Sequence, residues 1–157
     1  MAAAALEPRG SRFAASAFRL RQAEAALLAG DDETADRAVS AGLAYGESSG
    51  ERRHRSDLLR VRGAIIARRP GGDAAAAEAC EAAVEEAARR GAVLPELRAL
   101  AAQVRLSRGR AGAERLLRRL AECPGALPAA EREAAYRLVR ERAAGDSREI
   151  PDSAGRG

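Results

Sequence analysis

Residues that stop helices recur along this chain about one helix apart, and that punctuation limits it to folds assembled from short antiparallel helices. Gly30-Asp31, Pro70-Gly71-Gly72-Asp73 and Gly109-Arg110 each end one run and open another. Longer breaks fall from Gly46 to Gly50, from Gly91 to Pro95 and from Pro124 to Pro128. The marks divide the chain into seven helices of roughly 11 to 18 residues. Within each run the apolar spacing is helical. Leu59, Gly63 and Ile66 share one face, Leu97, Leu100, Ala101 and Val104 another, and Ala113, Leu116, Leu117 and Leu120 a third. No run alternates with period two over a strand's length, and no long heptad array exists, so both sheets and coiled coils are disfavoured.

Composition agrees with this. The chain is 46% hydrophobic but 3% aromatic, with no Trp. Alanine supplies much of the apolar content; it forms helices well, and its small side chain lets backbones approach. A sandwich core draws on the β-branched and aromatic residues that are scarce here. The fold class expected is all-α.

The runs also repeat. Before each short turn stands a small residue, Ala23, Gly63 and Ala102. After it, the second helices carry Ala35/Val39/Gly42, Ala76/Cys80/Ala83 and Ala113/Leu117/Leu120, offset by 41 and then 37 residues. A period in this range, with two helices per unit, marks a helical solenoid. A seventh helix over 129–143, with Ala134, Ala135, Leu138 and Val139 on one side, suits a cap on the stack. Residues 1–12 read as a disordered leader, 13–144 as the repeat domain and 145–157 as a disordered tail.

Specific segments add to this pattern. They are Gly42-Leu43-Ala44 through Gly50-Glu51-Arg52, Asp57 through Gly63, Gly72-Asp73, Ala77 through Cys80, Ala83 through Ala92, and Glu96 through Ala99. Together they resemble the tetratricopeptide-like C-terminal region of large bacterial signalling ATPases. That group includes LuxR-type and maltose-regulator-like transcription factors and multidomain proteins with cyclase domains. The resemblance spans roughly residues 13 to 122 and is most specific from 42 to 99. It implies a right-handed superhelix of helix pairs whose inner face binds a partner or a small effector. The abundance of Arg, Ala and Gly fits the codon bias of a GC-rich, actinobacterial genome. The third repeat departs from the pattern, with Arg108-Gly109-Arg110 in place of the Gly-Asp turn.

Little in the sequence points to catalysis. All 27 basic residues are Arg, so a phosphate-loop lysine and a Schiff-base amine are both excluded. The lone His54 stands among Arg52, Arg53 and Arg55 and reads as an exposed loop or first-turn residue. Cys80 and Cys123 read as separate free thiols of a reducing cytoplasm. Asp73 reads as the N-cap of its helix, and Glu85 as the i,i+4 partner of Arg89. No enzyme activity, metal or cofactor is expected, and no stretch approaches a membrane span.

Charge comes in blocks: five acids in 24–36 and five in 73–86, against seven Arg in 52–69 and six in 105–119. Helices of opposite sign attract when stacked, which is the preferred reading; a basic face for nucleic acid is the alternative. The net charge is only +4 and aromatics for base stacking are few, so nucleic acid is disfavoured. If first helices of the pairs face the groove, as the resemblance implies, Arg60, Arg68, Arg98 and Arg105 are the candidate contacts to a protein or peptide, and their bidentate pairing with carboxylates suits an acidic one. Phe13 and Phe18 form a candidate docking face that could support a weak homodimer. The expected function is therefore a non-catalytic interaction module. The alternative to it, besides nucleic-acid binding, is the remnant sensor arm of a larger regulator.

Overall fold

The computed structural model describes residues 14–106 and 110–146, and no strand occurs among them. Seven helices follow in order: α1 (Ala15–Ala29), α2 (Asp32–Ser49), α3 (Arg55–Ile66), α4 (Asp73–Arg89), α5 (Val93–Leu106), α6 (Arg110–Glu122) and α7 (Ala129–Asp146). The leader, Phe13, the Gly109 turn and the tail beyond 146 lie outside the described residues. The helix expected over 129–143 continues to Asp146.

Local chemistry sets the turns. Gly30 closes α1 in the left-handed region at φ 79°, which an L side chain rarely adopts. The Asp31 N–H then donates to the Ala26 carbonyl at 2.9 Å, satisfying an orphan acceptor. Asp31 in turn caps α2, its carboxylate accepting from the Thr34 N–H at 2.9 Å. That bond holds its carboxyl below the ordinary value. The α3–α4 turn works differently. Gly72, not Asp73, is the cap residue of α4, and no side chain caps the helix. Asp73 is the first helical residue, favoured there by the positive end of the helix dipole. A Cβ on Gly72 would lie 2.1 Å from the Ile66 carbonyl oxygen, so only glycine fits beneath the end of α3.

The helices form two layers. The backbone of each odd helix lies close to that of the next odd one, whereas the backbones of α2, α4 and α6 come close only to their sequence neighbours. The odd helices are thus the more closely gathered side. Burial follows the helical stripes with two shifts of phase. In α3 the fully buried residues are Leu58, Val61 and Ile65, while Leu59 and Ile66 are half-buried. In α6 Leu116 is fully buried and Leu117 is 43% exposed, so the third small-residue set is Ala113/Leu116/Leu120. The first two sets are buried throughout. Ala23 and Gly63 are buried, whereas Ala102 is half-buried.

Ion pairs join units one repeat apart. Glu24 of α1 meets Arg60 of α3 at 2.7 Å, Asp32 meets Arg68 at 2.6 Å, and Asp36 meets Arg69 at 3.1 Å. Further along, Glu81 of α4 meets Arg115 of α6 at 2.9 Å, and Arg98 of α5 meets Glu131 of α7 at 2.7 Å. The acidic and basic blocks thus neutralise one another between repeats.

Candidate functional site

A concavity of about 610 Å³ runs across the odd-helix layer and takes wall residues from α1, α3, α5 and α7. The odd helices all run the same way through it, so its two ends differ in chemistry. At their N-terminal ends stand Ala17, His54, Leu94, Pro95 and Leu127, a mainly apolar end. Further along the helices stand Glu24, Arg60 and the small Ala101 and Ala134, and Arg105 stands at the C-terminal end of α5.

The structure gathers three of the four candidate arginines here. Arg60, Arg98 and Arg105 all line the groove. Arg68 does not: α3 stops at Ile66, and Arg68, beyond its end, donates to Asp32 and to the Leu27 carbonyl, 3.0 Å away. Two of the three groove arginines are already engaged. Arg60 donates to Glu24 and stands 3.5 Å from Asp57. Arg98 grips Glu131 through both Nε and Nη2, at 2.8 and 2.7 Å. That fork holds the Glu131 carboxyl below its ordinary value and raises the Arg98 guanidinium above its own. The Arg105 side chain makes no ion pair among the described residues; its carbonyl accepts from Arg142 at 2.8 Å.

The middle of the groove is therefore not a simple cationic strip. Arg21, Arg60, Arg98 and Arg105 face Glu24, Asp57 and Glu131. Asp57 Oδ1 and Arg60 Nε are buried without a hydrogen bond, held to each other by charge alone. Sequence reasoning missed these three acids and His54. The signal for Glu24 and Glu131 was their distance from an arginine: each stands one repeat from the residue it meets.

No Ser, Thr or Cys lines the groove among the described residues. Cys80 is fully buried at the α3–α4 crossing, where burial pushes its thiol up to about 11 and suppresses the reactive thiolate. His54 is half-buried at the cap position of α3. Among the described residues no three His, Cys, Asp or Glu side chains converge at metal-binding spacing. The Glu85 carboxylate does not pair with Arg89 as expected; Arg89 instead donates to the buried Glu86 carboxylate at 2.6 Å and to the Glu85 carbonyl at 3.4 Å.

Of the candidate docking face, Phe18 is described and stands 64% exposed, with the Arg19 guanidinium 5.9 Å from its ring. No described helix is long and apolar enough to cross a membrane. About half of the arginines in the two blocks pair with carboxylates among the described residues: Arg55, Arg60, Arg68 and Arg69 in the first, Arg110, Arg115 and Arg119 in the second.

No family model, no curated protein and no solved structure matches this chain.

Proposed function

We propose that this chain is a non-catalytic interaction module of the tetratricopeptide-like type, a cytoplasmic scaffold or sensor arm in bacterial signalling or transcription regulation. Its helix pairs wind as a right-handed superhelix, and the odd-helix groove holds a protein or peptide partner. The observation that carries this reading is one continuous groove walled by all four odd helices. A concavity built from successive repeats suits an extended chain better than a compact metabolite.

The state of the arginines refines the partner. Since Glu24 and Glu131 already engage Arg60 and Arg98, a run of acids would have to displace them. A segment with an apolar residue for the Leu94, Pro95 and Leu127 end and one carboxylate for Arg105 fits without breaking either pair.

Selection from a phage-displayed library of random peptides tests this. Peptides recovered on the parent should bind Ala134→Trp, which fills the groove, at least about tenfold more weakly, a difference of about 1.4 kcal/mol. Ala41→Trp, on the exposed side of α2, should leave them unaffected. Peptides that bind Ala134→Trp as well as the parent, or a selection that yields none, would remove the groove as the binding site.

A further inference from the structure

Helix α1 has two faces at work: one buried through Ser16, Leu20, Ala23 and Ala26, and one open. The open face is not random. From the cap residue onward, Ala14, Phe18, Arg21, Ala25 and Leu28 are all exposed, at alternating spacings of four and three residues. That spacing is the seam by which one helix packs along another. Phe18 is 64% and Leu28 90% exposed, so two of the three exposed large hydrophobics of the described residues lie on this stripe. The helix at the other end of the array differs. The open stripe of α7 carries Glu133, Arg137 and Arg140 at the same spacing, which is the polar outer face of a terminal unit.

We propose that the α1 stripe is a docking surface for a second copy of this chain, which lies antiparallel across it on a two-fold axis. A two-fold contact demands a self-complementary patch. The stripe meets that demand in one register. With Phe18 opposite Leu28 of the second copy, Arg21 falls opposite Ala25, and both relations recur in reverse across the axis. Large meets large at both ends, and the long arginine crosses over the smallest residue of the seam. Arg21 has only a 3.8 Å contact to Glu24 Oε2 of its own helix and is 85% exposed, so it is free to reach the same oxygen of the second copy's Glu24, whose Oε1 holds Arg60. That glutamate flanks the seam in this register, which makes the two charges complementary across the axis. A partner presenting the charged stripe of α7 would match neither Phe18 nor Leu28. An α1 of 15 residues is only about 22 Å long, so the pair is shorter than a stable interface needs and the dimer is concentration-dependent. Arg21 and Glu24 also line the groove, so the contact runs along its α1 edge.

Sedimentation equilibrium of the full chain across a wide concentration range tests the contact. The mean mass should rise toward the dimer. Phe18→Glu and Leu28→Glu should each weaken association at least tenfold while the circular dichroism spectrum stays unchanged. Register is tested by disulfide trapping in a Cys123→Ser background: Arg21→Cys mixed with Ala25→Cys should cross-link in excess over either variant with itself. A monomer at every concentration, a dimer indifferent to both substitutions, or loss of helicity on Phe18→Glu would overturn the proposal. So would equal yields of all three cross-linked species.

Discussion

The second helices of the first two pairs bury Ala35/Val39/Gly42 and Ala76/Cys80/Ala83 at their crossings; the second helix of the third pair buries Ala113/Leu116/Leu120. The helix pairs respond accordingly. The α1–α2 and α3–α4 pairs approach more closely than the α5–α6 pair. With small side chains at the crossing, backbones come together until atoms of the chain itself meet. With leucines there, the side chains set the separation and fill it. One repeat plan thus rests on close approach at one end and on large buried side chains at the other. The two cores should fail under opposite substitutions: the C-terminal one when cut down, the N-terminal and central one when filled.

The largest effect is expected for Leu116→Ala. Leu116 is fully buried in the C-terminal cluster, and its truncation removes apolar contact and leaves a cavity that leucine neighbours close only partly. The loss should be about 2–5 kcal/mol in urea titration. A loss under about 1 kcal/mol would show that this half is loosely packed, and the contrast with the small-residue crossings would collapse.

Filling the α3–α4 crossing comes next. Gly63→Leu should cost about 1–3 kcal/mol by overpacking. The smaller change is more informative. Helix propensity alone favours Gly63→Ala by about 1 kcal/mol, and from the sequence this substitution is expected to be tolerated or even stabilising. The structure reverses that expectation. A Cβ on Gly63 would lie 2.7 Å from Cys80 Sγ and 3.1 Å from the Ala76 carbonyl oxygen. The backbone oxygen belongs to a continuous helix and yields little. Gly63→Ala should therefore lower the urea midpoint, though less than Gly63→Leu, and adding Cys80→Ala should recover part of the loss. A midpoint at or above the parent's would mean the two helices separate freely, and the tight crossing would be refuted.

These contacts mark where the sequence could be read and where it could not. Helix boundaries were legible where Gly acts through its own backbone conformation, as at Gly30 and Gly71, but Gly46 and Pro95, read as parts of breaks, lie inside α2 and α5. The first two small-residue sets were legible because Ala35/Val39/Gly42 and Ala76/Cys80/Ala83 sit at equal distances from those turns. The third slipped by one residue at Leu116, for its alignment rested on the Gly109 turn and an unequal offset. The groove was half legible. That Arg60, Arg98 and Arg105 share a face follows from their places on odd helices. That Arg60 and Arg98 are occupied does not, because their partners stand 36 and 33 residues away on neighbouring units. Charge blocks announce that acidic and basic helices attract; they do not say which side chain reaches which.

The smallest effect is a pH dependence that separates the two halves. In the C-terminal half, folding holds two carboxyls at repeat junctions below their ordinary 4.5. For Glu131 the cause is the Arg98 fork between α5 and α7. For Glu81 burial pushes the other way, but hydrogen bonds from Arg115 and Gln103 outweigh it. In the N-terminal half the carboxyl held low is Asp31, and its partner is Thr34 of the same helix, so its protonation loosens a cap and not a junction. A carboxyl lowered by folding stabilises the native state in full above its unfolded value and loses that contribution as the pH falls through the folded one. The α4–α6 and α5–α7 junctions should therefore weaken below about pH 4.5, while little changes between about pH 5 and 7. The effect is modest, since Glu81 and Glu131 are 39% and 40% exposed and water screens both pairs. Hydrogen exchange read helix by helix is sensitive enough to see it. Between about pH 5 and pH 3.5, after correction for intrinsic rates, protection should fall more in α6 and α7 than in α1 and α2. Glu131→Gln removes the titrating group and should flatten the response of α7. Equal loss of protection at both ends, or an α7 response that survives Glu131→Gln, would show that acid acts on the array as a whole and that the junctions do not differ.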